Sequence, residues 1–218
     1  MMDLQTLKKL VRQGEHLYLE FKLKATHPDK ITKEAVAFAN AEGGTILLGV
    51  DDDKNIKGLK FPEEDEFVLT KAFAEYAFPA IEYRLEKIVL ENDREILAFY
   101  VPKSENIHYL LENPTQKKNG KAYIRVDDKC VKASKEVYQI MKGRKKERNI
   151  RFYFKENEKT LMKFLDENKK ITVQKFVEIA KIEYTLASKT LILLTLGGVL
   201  DVVPDEVEDF FVVKPIEE

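Results

Sequence analysis

Apolar and polar positions follow two periods along this chain, and each change of period marks an element. Leu4, Leu7, Leu10 and Val11 share one helical face after Asp3, which predicts a capped helix to about Gln13, stopped by Gly14. Leu17, Leu19 and Phe21 then alternate with Tyr18, Glu20 and Lys22, the pattern of a half-buried strand. A helix follows at about 30–42, with Ile31, Ala35, Phe38 and Ala39 inward. Gly43-Gly44 closes it, and one of the two supplies the left-handed conformation that ends helices. Thr45 to Val50 is apolar throughout, as a central strand is. Glu63 to Phe78 reads as a helix with Phe67, Ala74 and Phe78 inward, ended before Pro79. Alternation at Ile81, Tyr83 and Leu85, a turn at Asn92-Asp93 and a return through Ile96 to Val101 predict a hairpin. Lys121 to Val126 is a further strand, and Ala133-Ser134 caps a helix from about Lys135 to Lys146.

The grammar then changes. Helices are expected at Asn157 to Asn168, Gln174 to Ala180 and Thr185 to Leu196. Short strands follow at Val199 to Val203 and Asp209 to Val213. Three helices and a two-stranded ribbon in this order describe a winged helix-turn-helix. The basic stretch Lys142 to Arg148 marks the boundary, so the expected domains are 1–148 and 149–218.

Composition narrows the function classes. The 218 residues are 44% hydrophobic and 34% charged, with a net charge of −1, so no global positive field advertises a polyanion partner. Nucleic-acid binding must therefore come from local patches. A single cysteine, Cys130, excludes an internal disulfide and fits a reducing cytoplasm. The start, Met1-Met-Asp-Leu-Gln, has no leader pattern, and the most apolar run, Thr190 to Leu200, is too short to span a bilayer. No membrane partner is expected.

Four features are candidates for chemistry. Glu15, Glu20 and Asp51 to Asp53 fall at strand ends, where converging carboxylates can hold Mg²⁺ or Mn²⁺ and activate water. Ion pairing of Glu20 and a solvated turn at 51–53 explain the same residues. Glu15 and Glu20 also point to opposite faces of any regular strand, so a shared site requires the strand to begin after Glu15 or to be bulged there. The glycine turn follows a helix instead of preceding one, and no Gly-x-x-x-x-Gly-Lys-Ser/Thr element exists. The residues therefore give ATP no cradle. Tyr123 and Arg125 alternate beside Lys117, Lys118 and Lys121, a strip able to hold a phosphate backbone or to protect a sheet edge. Arg144, Lys145 and Lys146 offer either phosphate contacts or a solvated helix end.

In the C-terminal part, Lys181, Tyr184, Thr185, Ser188 and Lys189 lie at the start of the third helix, where a helix-turn-helix meets the major groove. The wing opposes this reading. From Asp201 to Glu218 it carries seven acids and one base, Lys214.

These motifs resemble the Schlafen AlbA-like domain family, also described as a divergent AAA ATPase domain. The resemblance rests on several blocks: Glu15 and Leu19-Glu-Phe-Lys22; Ala37-Phe-Ala-Asn-Ala-Glu-Gly-Gly-Thr-Ile-Leu-Leu-Gly-Val-Asp-Asp52; Ile56-Lys-Gly58; and Tyr123-Ile-Arg-Val126 with Ala133-Ser134. It covers roughly 10–146. The C-terminal part looks like the winged helix often fused to such domains in bacterial transcriptional regulators. The resemblance implies an α+β fold, a mixed sheet with helices followed by a small winged helix-turn-helix, and nucleic-acid binding. In the Schlafen branch it implies metal-dependent RNA cleavage by three acids, which map onto Glu15, Glu20 and Asp51. An ATP label travels with the bacterial branch.

The chain departs from the family pattern where Asp53-Lys54-Asn55 and Asp127-Asp128 replace the usual glycine and Gly-Ser. Three functions follow as expectations. The first is a DNA-binding regulator, with a homodimer as one form. The second is a nuclease acting on structured RNA or on DNA. The third is a protein-interaction module.

Overall fold

The computed structural model describes residues 2–115, 119–145 and 154–215. It divides into two compact units, 1–132 and 133–218. The division falls earlier than the expected boundary at 148 because the helix after Ser134 puts Ile140 into the second unit's core.

The first unit begins with α1 (Leu4–Gln13), whose Asp3 carboxylate accepts the Thr6 N–H at 2.7 Å. Then come β1 (Leu19–Lys22), α2 (Pro28–Asn40), β2 (Gly44–Leu48), α3 (Pro62–Tyr76), β3 (Ala77–Phe78), β4 (Arg84–Val89), β5 (Glu95–Val101), β6 (Tyr109–Leu110), β7 (Tyr123–Val126) and β8 (Lys129–Lys132). The central sheet runs β1-β2-β5-β4, with β1 parallel to β2 and the other pairs antiparallel. It is a mixed sheet in an α+β unit. Apolar residues fill both of its faces, which explains the unbroken apolar run in β2. On one side α2 and α3 pack Ile31, Phe38, Leu69 and Phe73 against Ile46, Leu97 and Phe99. On the other α1 packs Leu7 and Val11 against Phe21, Leu47 and Ile96.

Two expectations change. β1 is buried on both faces, Glu20 included, because Arg125 of β7 reaches its polar side. In α3 the inward residues are Leu69, Ala72 and Phe73, while Phe67 and Ala74 are exposed; Phe78 lies beyond the helix, exposed in β3.

The second unit holds α4 (Lys135–Arg144), α5 (Glu156–Asn168), β9 (Lys170–Ile171), α6 (Val173–Ala180), α7 (Tyr184–Leu196), β10 (Leu200–Val203) and β11 (Phe210–Val213). Its sheet order is β10-β11-β9, all antiparallel. Leu161, Leu165, Phe176, Leu191, Leu194 and Phe211 form its core. Among the described residues no helix is long and apolar enough to cross a membrane.

Candidate functional site

Arg125 organises a buried polar cluster in the first unit. It stands on β7, and its side chain has no exposed surface. Nη2 meets the Glu20 carboxylate of β1 at 2.7 Å, and Nη1 meets Glu34 of α2 at 2.8 Å. Nη2 also donates to the carbonyls of His16 and Leu19, at 3.2 and 3.3 Å. The guanidinium carbon lies 4.9 Å from the Phe38 ring centre. Burial is the largest influence and opposes its charge, but the Glu20 carboxylate and the Cys130 sulfur together outweigh it and hold the guanidinium above its ordinary pKa. Arg125 is thus a clamp joining β1, α2 and β7. Its expected place on an exposed phosphate strip is corrected: two buried carboxylates occupy it and no solvent reaches it. Lys117 and Lys118 of that strip lie outside the described residues. Lys121 pairs with Glu112.

Glu15 and Glu20 have Lys22 as a common neighbour, since β1 begins at Leu19 and leaves Glu15 in the segment before it. Lys22 bonds the Glu20 carboxylate and stands 4.0 Å from Glu15. Glu15 accepts the Phe21 N–H at 2.8 Å. Burial pushes the Glu15 carboxyl up, the Phe21 N–H pulls it down, and the charges of Glu20 and Asp52 add to the rise.

Asp51 faces elsewhere. It accepts the Asn55 N–H at 2.8 Å and the Asn55 amide at 3.1 Å, and Lys57 lies 3.7 Å away. The Asn55 N–H holds its carboxyl below the usual range. Of the turn acids, Asp52 adds its charge to the rise at Glu15. A divalent cation needs open oxygen ligands converging on one point. Here Glu20 is bound to two cations and Asp51 to an asparagine and a lysine. Among the described residues no group of three or more His, Cys, Asp or Glu side chains is placed to hold a metal ion. The donor set does not fit Mg²⁺ or Mn²⁺, and no hydrolytic step is derived through it.

Two residues that nothing in the sequence connects complete the cluster. Glu34 accepts from the Cys130 thiol as well as from Arg125. Burial pushes the Cys130 thiol up, and the Glu34 charge pushes it further. For a raised acid, the stability it contributes is whole below the unfolded thiol pKa, about 8.5, and is lost as pH rises beyond that value. A disulfide reagent at pH 8 should therefore label folded protein at least about a hundredfold more slowly than urea-unfolded protein. Comparable rates would contradict the buried thiol.

The glycine block is also structural. Asn40 donates its amide to the carbonyls of His108 and Tyr123, at 2.8 and 2.9 Å, and its own oxygen accepts the His108 N–H at 2.8 Å. Glu42 pairs with Lys103 at 2.7 Å. Both tie the end of α2 to the neighbouring loop and strand. The turn presents no helix N-terminus to a phosphate.

In the second unit, Lys181, Tyr184, Thr185 and Lys189 are exposed together at the turn between α6 and α7 and on the first turns of α7. Ser188 is buried and donates to Glu136 of α4 at 2.6 Å, so its expected role in base contact is corrected. The Tyr184 hydroxyl donates to the same Glu136 oxygen at 3.4 Å. Burial raises the Tyr184 pKa, and the charges of Glu136, Asp209 and Glu208 raise it further, so acids border one edge of the exposed face. Arg144, at the end of α4, pairs with Asp201 at 3.3 Å. Lys145 caps that helix, and Lys146 lies outside the described residues.

A family model described as Schlafen, AlbA_2 matches residues 15–134. Among solved structures the chain is similar to the N-terminal domain of a putative ATP-dependent DNA helicase RecG-related protein from Nitrosomonas europaea. Identity is 21% over 47% of this chain and 74% of that one, with a TM-score of 0.39. It is also similar to the DIP2311 protein from Corynebacterium diphtheriae, with 17% identity over 56% of this chain and 26% of that one, again at a TM-score of 0.39. No curated protein sequence matches. The family match takes in the Arg125 cluster and the Gly43-Gly44 turn, and it covers more than half of the sequence: the chain belongs to the Schlafen AlbA_2 family.

Proposed function

We propose that this is a nucleic-acid-binding protein of the transcriptional-regulator kind, whose second unit works as a winged helix-turn-helix. Family membership associates the first unit with nucleic acid. The observation that carries the DNA reading is the α6–α7 pair. Its connecting turn holds Lys181 in the left-handed conformation, at φ 52°. Ala187, Leu191 and Leu194 of α7 face the core, and Lys181, Tyr184, Thr185 and Lys189 face outward. Two cations, a hydroxyl and an aromatic ring at a helix start are the means of gripping phosphates and reaching base edges. β10 and β11 supply the wing. In this reading the contact lies on the side of Lys181, Thr185 and Lys189, away from the acids beside Tyr184. The first unit then serves ligand sensing, dimerisation or further nucleic-acid contact.

Fluorescence anisotropy with random duplex DNA at low salt tests this. Micromolar protein should bind, with affinity falling steeply as salt rises. Changing Lys181 and Lys189 to alanine should flatten the logarithmic salt slope by roughly 0.9 for each phosphate that a lysine no longer neutralises. No binding at micromolar protein, or an unchanged slope in the double variant, rejects the reading. Sites selected from a random pool would show paired half-sites if the protein binds as a homodimer.

A further inference from the structure

The central sheet of the first unit ends in an edge that is open to a further strand. β4 closes the order β1-β2-β5-β4, and among the described residues no strand pairs with its outer side. Which of its peptide groups point outward follows from the hairpin. Leu90 donates its N–H to the Arg94 carbonyl at 2.8 Å, so it is a bonded position. Glu95, the first residue of β5, turns the other way. It exchanges both its N–H and its carbonyl with Leu59, on the side away from β4. Bonded and non-bonded positions alternate along an antiparallel pair. Arg84, Glu86 and Ile88 therefore bond to β5, and Leu85, Lys87 and Val89 direct their N–H and C=O groups off the sheet.

Open edges are commonly blunted by proline, a bulge, a covering element or a charge. The opposite end of the sheet shows one such device, since β1 gives its Leu19 carbonyl to the buried Arg125. β4 is six residues long and has no proline, and Lys87 is the one charged residue among its outward positions. That charge is matched within the unit by Glu66 of α3, at 2.7 Å. Val89, the last outward residue, is 63% exposed.

The outward set is complementary to itself. Two copies of β4 running antiparallel about a two-fold axis at Lys87 place Leu85 of each opposite Val89 of the other. Outward positions then meet only outward positions, and the three N–H groups of each copy all find carbonyls on the other. The axis preserves the two faces of the sheet, so the Leu85 and Val89 side chains lie side by side and the exposed valine gains an apolar neighbour. The two Lys87 side chains meet at the axis, each with its own Glu66. Shifting the register to put Glu86 on the axis would set Leu85 against Lys87 and break the apolar pairs.

We propose that β4 pairs with β4 of a second copy of this chain, joining two four-stranded sheets into one of eight strands. The interface lies on the first unit and does not rest on the reading of α7, because it forms without nucleic acid.

Sedimentation velocity of the full-length chain, from micromolar to millimolar protein, should show a reversible monomer–dimer equilibrium. Lys87→Pro removes the two central donors of the interface and no bond to β5, since that N–H points outward. It should raise the dimer dissociation constant about 5- to 150-fold. Val89→Lys sets a charge against Leu85 of the other copy and should also weaken the dimer. Because Val89 is exposed, this variant guards against a misfolded proline variant, and far-UV circular dichroism confirms the folding of both. Lys87→Cys, on the axis, should cross-link to itself through a short bismaleimide. Lys24→Cys, exposed just after β1 at the other end of the sheet, should not. A chain that stays monomeric throughout, a dimer indifferent to both variants, or equal cross-linking at the two positions would overturn the proposal.

Discussion

Replacing Arg125 with methionine should cost about 3–5 kcal/mol of folding stability, a large share of the roughly 5–15 kcal/mol that holds a domain together. The reason is what the substitution leaves behind. Glu20 and Glu34 are 7% and 12% exposed at their side chains, and Arg125 is their shared counter-ion. Without it Glu20 retains Lys22, but Glu34 keeps only the neutral Cys130 thiol and a distant Lys33 at 3.8 Å. The carbonyls of His16 and Leu19 lose their donor as well. Arg125→Lys should recover only part of the loss, since one ammonium cannot span two carboxylates and two carbonyls as a planar fork does. Adding Glu34→Gln to Arg125→Met should recover part of it too, by removing the stranded charge. Urea denaturation measures each. An Arg125→Met variant within about 1 kcal/mol of the parent would show that the cluster is energetically idle. Any loss of DNA binding in these variants should follow loss of folding, because Arg125 offers no surface to a ligand.

The same residue shows where reading a sequence stops. Local grammar carries far: the Asp3 cap, the Gly14 and Gly43 stops, the apolar β2 strand and the α6–α7 pair all rest on neighbours within a few positions. Arg125 alternates with aromatic and apolar residues just as an exposed strand residue does. Nothing nearby announces that Glu20 and Glu34, far away in sequence, enclose it. Ser188 and Glu136 repeat the lesson in the second unit, where a hydroxyl at helical spacing for the groove is drawn inward by a buried carboxylate. In α3 the difference is one of weight. Phe67 and Phe78 dominate the hydrophobic pattern, yet Leu69, Ala72 and Phe73 make the seam. The acids are legible by half: Glu15 and Glu20 share Lys22 as a neighbour, but the backbone turn at 51–55 sends Asp51 to Asn55. Turn geometry of that kind is invisible in residue spacing. It is bent further by Lys54 at φ 64°.

Gly43→Ala should be the second severe lesion, because two independent penalties meet there. Gly43 has φ 81°, a conformation that costs a residue with a Cβ about 1–2 kcal/mol. The added Cβ would also stand 2.8 Å from the Val101 carbonyl oxygen and 2.9 Å from the Lys103 nitrogen, both backbone atoms of the adjoining segment. Backbone cannot swing aside as a lysine tip can, so overpacking adds about 1–3 kcal/mol. The expected total is therefore about 2–5 kcal/mol. Gly198 provides the comparison that separates the two penalties: its φ is 76°, but nothing lies within 4 Å of a built Cβ. Gly198→Ala should show the conformational penalty alone, about 1–2 kcal/mol. Amide hydrogen exchange, read in the core strands of the unit carrying each change, measures both. Equal losses at the two positions would mean that strain, and not the close approach of the turn before β2 to the chain leaving β5, explains why glycine stands at position 43.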